Sequence, residues 1–226
     1  MHIEPGIVQG AKIALSVVTA AGSLAFTAKL AFDAIKTSGL ALLATRSIIT
    51  TVLVFCFFEV LPHHPVGVSE VHLILGSTLF LLFGAPAAMI GLAAGLLLQG
   101  ALFAPLDLPQ YGINVTTLLV PLYGMNLLAK RIIPTNTAYK DITYKQALAL
   151  STVFQGGIVS WVGFWALYGQ GLGTANLTQV AVFGSAYMLI VILEPLVDLG
   201  VLVIAKNLHR FKVSELFVTR MYTAVA

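Results

Sequence analysis

The length of its apolar blocks limits this chain more than any other feature. Residues 181–205, AVFGSAYMLIVILEPLVDLGVLVIA, hold only two acids and no base, and a bilayer core about 30 Å thick needs roughly 20 helical residues to cross it. Similar blocks recur along the sequence, separated by short polar joints. With 58% hydrophobic and 9% charged residues among 226, against about a quarter charged in a soluble domain, no separate soluble domain has room to fold. The expectation is an all-α, polytopic, multi-pass integral membrane protein forming one transmembrane domain over residues 1–226.

About seven transmembrane helices are predicted: Ile7–Ala31, Leu42–Leu61, a short one at Val71–Phe83, a fourth ending at Phe103, Ile113–Ile133, Ala147–Tyr168 and Gln179–Ala205. Lys12 and Lys29 stand close enough to the ends of the first to snorkel. Gly84-Ala85-Pro86 breaks the chain before the fourth, because proline lacks an amide donor and suits a helix start.

An odd number of spans puts the termini on opposite sides. Lys29, Lys36, Arg46, Lys130, Arg131, Lys140, Lys145, Lys206, Arg210, Lys212 and Arg220 all fall on one of them, while the other has Lys12 alone. The positive-inside rule then predicts an N-terminus outside and a cytoplasmic tail over 206–226. The outer side also collects Glu4, Glu59, Glu70 and Asp107, a sign that concentrates cations. The tail, with basic and apolar faces, reads as a membrane-surface or partner-binding segment, or as a solvated one.

Several functions are excluded or disfavoured. The lone Cys56 permits no intrachain disulfide. No GxxxxGK[ST] motif is present, so the chain does not hydrolyse a nucleotide by a P-loop, and ATP-driven transport would need another subunit. No internal or inverted repeat is visible, which disfavours a secondary transporter working alone. No nucleic-acid partner and no resident cofactor are expected. Glu4 precedes the first apolar run where a signal peptide would carry basic residues, so the start reads as a mature terminus with Met1 retained.

Histidines carry the remaining chemistry. His2, His63, His64 and His72 fall on the predicted outer side and His209 in the tail. A terminal amine, the deprotonated amide nitrogen after it and an imidazole can chelate one divalent ion in a plane; a fourth nitrogen would complete a square-planar site suited to Ni²⁺ or Cu²⁺ and able to take Co²⁺. Met1 and His2 offer the first three nitrogens. The alternative for His2 is a frayed, solvated terminus. In HHPVGVSEVHLILG, Ser69 is read as a helix cap that puts His72 in the first turn of the third span, aimed at the N-terminus or hydrogen-bonded at the interface. His63 and His64, flanked by prolines, read as loop residues.

These motifs resemble the substrate-binding membrane subunits (S-components, CbiM/NikM type) of energy-coupling factor transporters for cobalt and nickel. The likeness lies in Met1, His2, Ile3 and Gly6, in GVSEVHLI over Gly67–Ile74, in Gln99, Ala101, Leu102 and Phe103, and in Gly112 and Asn114. It extends weakly to ILEPLVDLGVL, which places an acid at Glu194. The resemblance implies a Co²⁺ or Ni²⁺ site made by the Met1 amine, the His2 backbone and ring, and His72. Asn114 would orient a ligand from behind, or else cap a helix. Glu194 would be an intramembrane polar partner or part of a moving interface. The chain departs from the family pattern at Glu4-Pro5, Thr117 and Tyr187, which touches the residues behind the ligands.

The resemblance further implies capture of the ion outside a cell (inner) membrane and import with separate T-component and ATP-binding subunits, a small accessory membrane subunit being a further candidate partner. No enzymatic activity is expected. The small face Ala21, Ala25 and Ala28 is a candidate T-component contact or an internal packing face. Two other readings stand beside this one. The first is an intramembrane metal-dependent hydrolase with Glu59, His63, His64 and His72 around zinc, which lacks an H-E-x-x-H pair. The second is an ion-coupled permease acting without an ATPase, with Glu194 and Asp198 as relay acids.

Overall fold

A computed structural model describes residues 2–208 and 217–223. Met1, His209 and most of the predicted tail lie outside the described residues. The long helices are α1 (Ile13–Ser38), α2 (Leu40–Glu59), α4 (Ala85–Leu102), α5 (Tyr111–Ile132), α6 (Tyr144–Gln170) and α7 (Thr174–Leu208). These make six candidate spans by length and hydropathy among the described residues, so the protein is a multi-pass membrane protein.

The third predicted span is corrected. Instead of one helix over Val71–Phe83, the chain forms a two-stranded antiparallel hairpin, β1 (His64–Val66) with β2 (Ser69–Val71), then an extended stretch, then the short helix α3 (Gly76–Phe83). Eight residues of helix rise only about 12 Å, too little to cross a bilayer. The hairpin turns on Gly67 and Val68, and Gly67 has φ +61°. Glycine at the first of two central residues suits the type II′ turn that tight hairpins prefer. The first predicted span is also displaced: α1 starts at Ile13 after a 3-10 turn over Gly10–Lys12.

α4 and α5 form the middle of the bundle, and α2 packs on α4 through absent side chains. A Cβ on Gly91 would stand 2.3 Å from Thr50 Oγ1, and one on Gly95 would stand 2.6 Å from Val54 Cγ1. Backbones this close let the Thr50 hydroxyl donate to Ala87 O at 2.7 Å across the interface, the small-residue packing that holds helices together in lipid. On α1 the face bearing Ala21, Ala25 and Ala28 is exposed, so it does not pack within the subunit's own bundle.

α3 is wholly buried except at Leu82, and its first turn meets two acids of α7. Asp198 accepts from Ser77 Oγ at 2.5 Å and from the Thr78 hydroxyl, while Glu194 accepts from the amides of Ile74 and of Leu75, the latter at 3.0 Å. Carboxylates at a helix N-terminus satisfy donors that the helix leaves open and oppose its dipole favourably. At its other end α3 meets the C-terminal segment, where Val218 N donates to Leu82 O at 2.8 Å. Arg220 at that end donates to Pro134 O at 2.9 Å beyond α5. His2 sits at the opposite end, beside Gln99 and Asp107.

Candidate metal centre

His2, Ile3 and Glu4 are not frayed. Ile3 pairs with Ser69, Glu70 N donates to His2 O at 2.9 Å, and Glu4 N donates to Val68 O at 3.0 Å. Residues 2–4 thereby run antiparallel beside β2 as a short strand-like segment joined to it by one bridge. Ser69, expected to cap a helix, instead donates its hydroxyl to His2 O at 2.8 Å from within β2. The Ile3 side chain is buried beside Val8, Ile113 and Trp165. From α5, Asn114 Oδ1 accepts the Ile3 amide at 2.9 Å. Asn114 therefore orients the backbone that carries His2 and is not a helix cap.

His2 is 3% exposed. Its Nε2 lies 2.5 Å from Gln99 Oε1; with the Gln99 amide assigned this way round, the oxygen accepts and Nε2 carries the proton. The lone pair is then on Nδ1, the ring nitrogen nearer its own backbone, because the hydrogen bond made by one ring nitrogen decides which other is free for metal. Nδ1 stands 3.0 Å from Asp107 Oδ2 without forming a hydrogen bond.

His72 follows β2 directly and is 1% exposed. Neither of its ring nitrogens has a hydrogen-bond partner. Burial, foremost, pushes its pKa down from the usual histidine range, which keeps the ring neutral and its lone pair available. The His2 and His72 rings are 5.6 Å apart between centroids, and Phe58 abuts both. Three buried ring nitrogens without a hydrogen bond at one spot are uncommon, since buried polar atoms are nearly always bonded. With one lone pair on each neutral ring, they offer two nitrogen donors of the kind a borderline divalent ion takes.

Glu70 joins this pair. Its Oε2 lies 3.4 Å from His72 Nε2, and ligand atoms of His2, Glu70 and His72 all fall within 4.8 Å of one another. Glu70 and His72 are two apart, which puts them on one face of a strand. Burial, then the charges of Glu70 and Asp107, raise the pKa of Glu4. The site therefore lies among crowded acids whose repulsion a divalent cation relieves.

The zinc reading does not assemble. His63 lies parallel to His72 with centroids 5.0 Å apart and its Nδ1 is 3.2 Å from Leu61 O, while His64 is exposed on β1. Among the described residues, only His2, Glu70 and His72 form a group of three able to share an ion. Of the three departures noted in sequence, Thr117 lies in α5, where its hydroxyl donates to Ile113 O within its own helix at 2.9 Å. The Tyr187 hydroxyl donates to Gln155 Oε1 at 2.7 Å, and the Gln155 amide in turn donates to Glu194.

No curated protein and no solved structure matches the chain. A family model does match it over residues 2–210, from His2 through α7, and the chain belongs to that family, CbiM, the cobalt uptake substrate-specific transmembrane region.

Proposed function

We propose that this protein is the metal-capturing S-component of an energy-coupling factor transporter, binding Co²⁺ or Ni²⁺ on the extracytoplasmic side through the Met1 amine, the His2 amide and Nδ1, and His72. The observation that carries the reading is the set of partnerless ring nitrogens on His2 and His72, buried beside a backbone already fixed as a strand. Membership of a cobalt-uptake family supports it. Glu70 stands close enough to add an oxygen donor or to guide the ion in.

In this reading the N-terminal end faces outside a cell inner membrane. Lys36, Lys130, Arg131 and Lys140 lie in or beside joints at the other end, the basic face that belongs in the cytoplasm. Residues 73–75 and α3 carry the chain inward a second time, after α1, so that hairpin and C-terminal segment come to opposite ends. Ala21, Ala25 and Ala28 on the exposed face of α1 are the surface for a T-component, and ATP-binding subunits supply the energy. Glu194 and Asp198 are engaged with α3, which gives the permease reading no free relay acid.

The test is an added residue before Met1, which removes the amine from its place without touching the bundle. Co²⁺ titration of the purified protein, followed by the ligand-field spectrum, should show binding in the parent and loss in the extended form. Equal affinity in both would refute the chelate. Uptake by cells lacking every co-expressed ATPase would refute the energised assembly.

A further inference from the structure

The His72 ring is packed by Phe58 and His63 but makes no hydrogen bond of its own, so its aim depends on its backbone. On one side the backbone is held by the hairpin. On the other, the consecutive amides of Ile74 and Leu75 both donate to Glu194 Oε1 on α7, the Leu75 bond at 3.0 Å. Leu75 adopts φ +54°, a left-handed conformation that side chains rarely take and that needs outside support. The other oxygen of Glu194 accepts from the Gln155 amide, and Gln155 Oε1 accepts from Tyr187 at 2.7 Å. All three side chains are fully buried, and an intramembrane carboxyl so completely enclosed is costly unless it serves such partners.

We infer that Glu194 is a positioning residue for His72, holding the turn after the histidine so that its ring meets His2, with Gln155 and Tyr187 fixing the carboxyl in turn. The inference rests on His72 being a metal ligand. It ties the geometry of the centre to α7, more than one hundred residues away in sequence. Groups that orient a ligand from behind typically change metal affinity by about 10–100-fold when removed.

The experiment uses the full chain in detergent, titrated with Co²⁺ alone, with affinity and ligand-field spectrum as readouts. Glu194→Leu should weaken binding about 10–100-fold and shift the spectrum towards that of His72→Ala. Glu194→Gln keeps an oxygen acceptor for the two amides, and Gln155 can turn its own amide to match, so it should stay within about twofold of the parent. Parent-like affinity and spectrum in a folded Glu194→Leu overturns the inference, as does a loss in Glu194→Gln as deep as in Glu194→Leu. If Glu194→Leu does not fold, Gln155→Leu takes its place: a smaller loss with the same spectral shift supports the inference, and no change overturns it. Parent-like binding by His72→Ala would instead refute the site itself.

Discussion

Gln99 offers the sharpest quantitative test of the centre, because its side chain decides which nitrogen of His2 is free. In the parent the Nε2 proton is given to Gln99 Oε1 at 2.5 Å and Nδ1 is left with its lone pair. Gln99→Leu keeps the volume roughly and removes the acceptor. The ring can then carry its proton on Nδ1, where Asp107 Oδ2 waits 3.0 Å away. A hydrogen bond to a charged acceptor is worth about 1.5–3 kcal/mol, and a metal must break it to reach Nδ1. At 1.4 kcal/mol per factor of ten, Co²⁺ affinity should fall by about 10- to 150-fold. That range agrees with the usual effect of removing a ligand's outer partner. The assay is a Co²⁺ titration with competition by a chelator of known affinity. Gln99→Glu, which still accepts from Nε2, should bind as the parent does. Removing the competing acceptor with Asp107→Leu in the Gln99→Leu background should recover part of the loss. Affinity within twofold of the parent in Gln99→Leu, or no recovery in the double variant, would refute the assigned tautomer and with it Nδ1 as the metal-binding nitrogen.

Three further outcomes follow from the packing and the charges. Gly91→Leu would drive its Cβ to 2.3 Å from Thr50 Oγ1 and 2.8 Å from the Thr50 backbone, so α2 and α4 must separate; overpacking of this kind costs about 1–3 kcal/mol or more, read as a lower melting temperature in detergent. The folded His72 stays neutral because burial depresses its pKa below the usual histidine range; below about pH 6.5 the unfolded chain takes up a proton that the folded chain does not, so metal-free stability is full above about pH 6.5 and falls as the pH drops. Thermal melts from pH 7.5 to 5 should show that slope, and His72→Gln should flatten it. Ala25→Trp on the exposed face of α1 should leave Co²⁺ binding unchanged while impairing co-purification with a T-component; intact co-purification would remove that face from the interface.

The six long helices were legible because a bilayer imposes length, and uninterrupted apolar runs of that length have few other uses. GVSEVHLI was misread for an equally physical reason. A short apolar run looks the same whether helix or strand, and Ser69 ahead of it imitates a cap. Read with a period of two, the same letters put Glu70 beside His72 and would have flagged the carboxylate; read with a helical period they separate it. The partnership of residues 2–4 with β2 had no signature at all, since its bonds run mostly through backbone atoms more than 60 residues apart. Gln99 did leave a signal, an amide in an otherwise apolar helix, but its partner at the chain's start could not be deduced from spacing.

The strand at the start of the chain bears on how such a chelate can work. A terminus free in solvent would lose about 1–2 kcal/mol of backbone entropy for each residue ordered by the metal, and a chelate using amide nitrogens orders several. Here the hairpin, Ser69 and Asn114 hold residues 2–4 through bonds made within the protein itself. The bonds that hold the strand run through His2 O, Ile3 N and Glu4 N, and so do not consume the His2 amide nitrogen. Asn114→Ala leaves the Ile3 amide buried without a partner, a cost of about 1–3 kcal/mol set against the two backbone bonds, the Ser69 bond and the buried Ile3 side chain that still hold the strand. Its expected effect on Co²⁺ affinity is accordingly smaller than that of Gln99→Leu, and an Asn114→Ala loss exceeding the Gln99→Leu loss would mean that strand docking, and not ring orientation, limits metal capture.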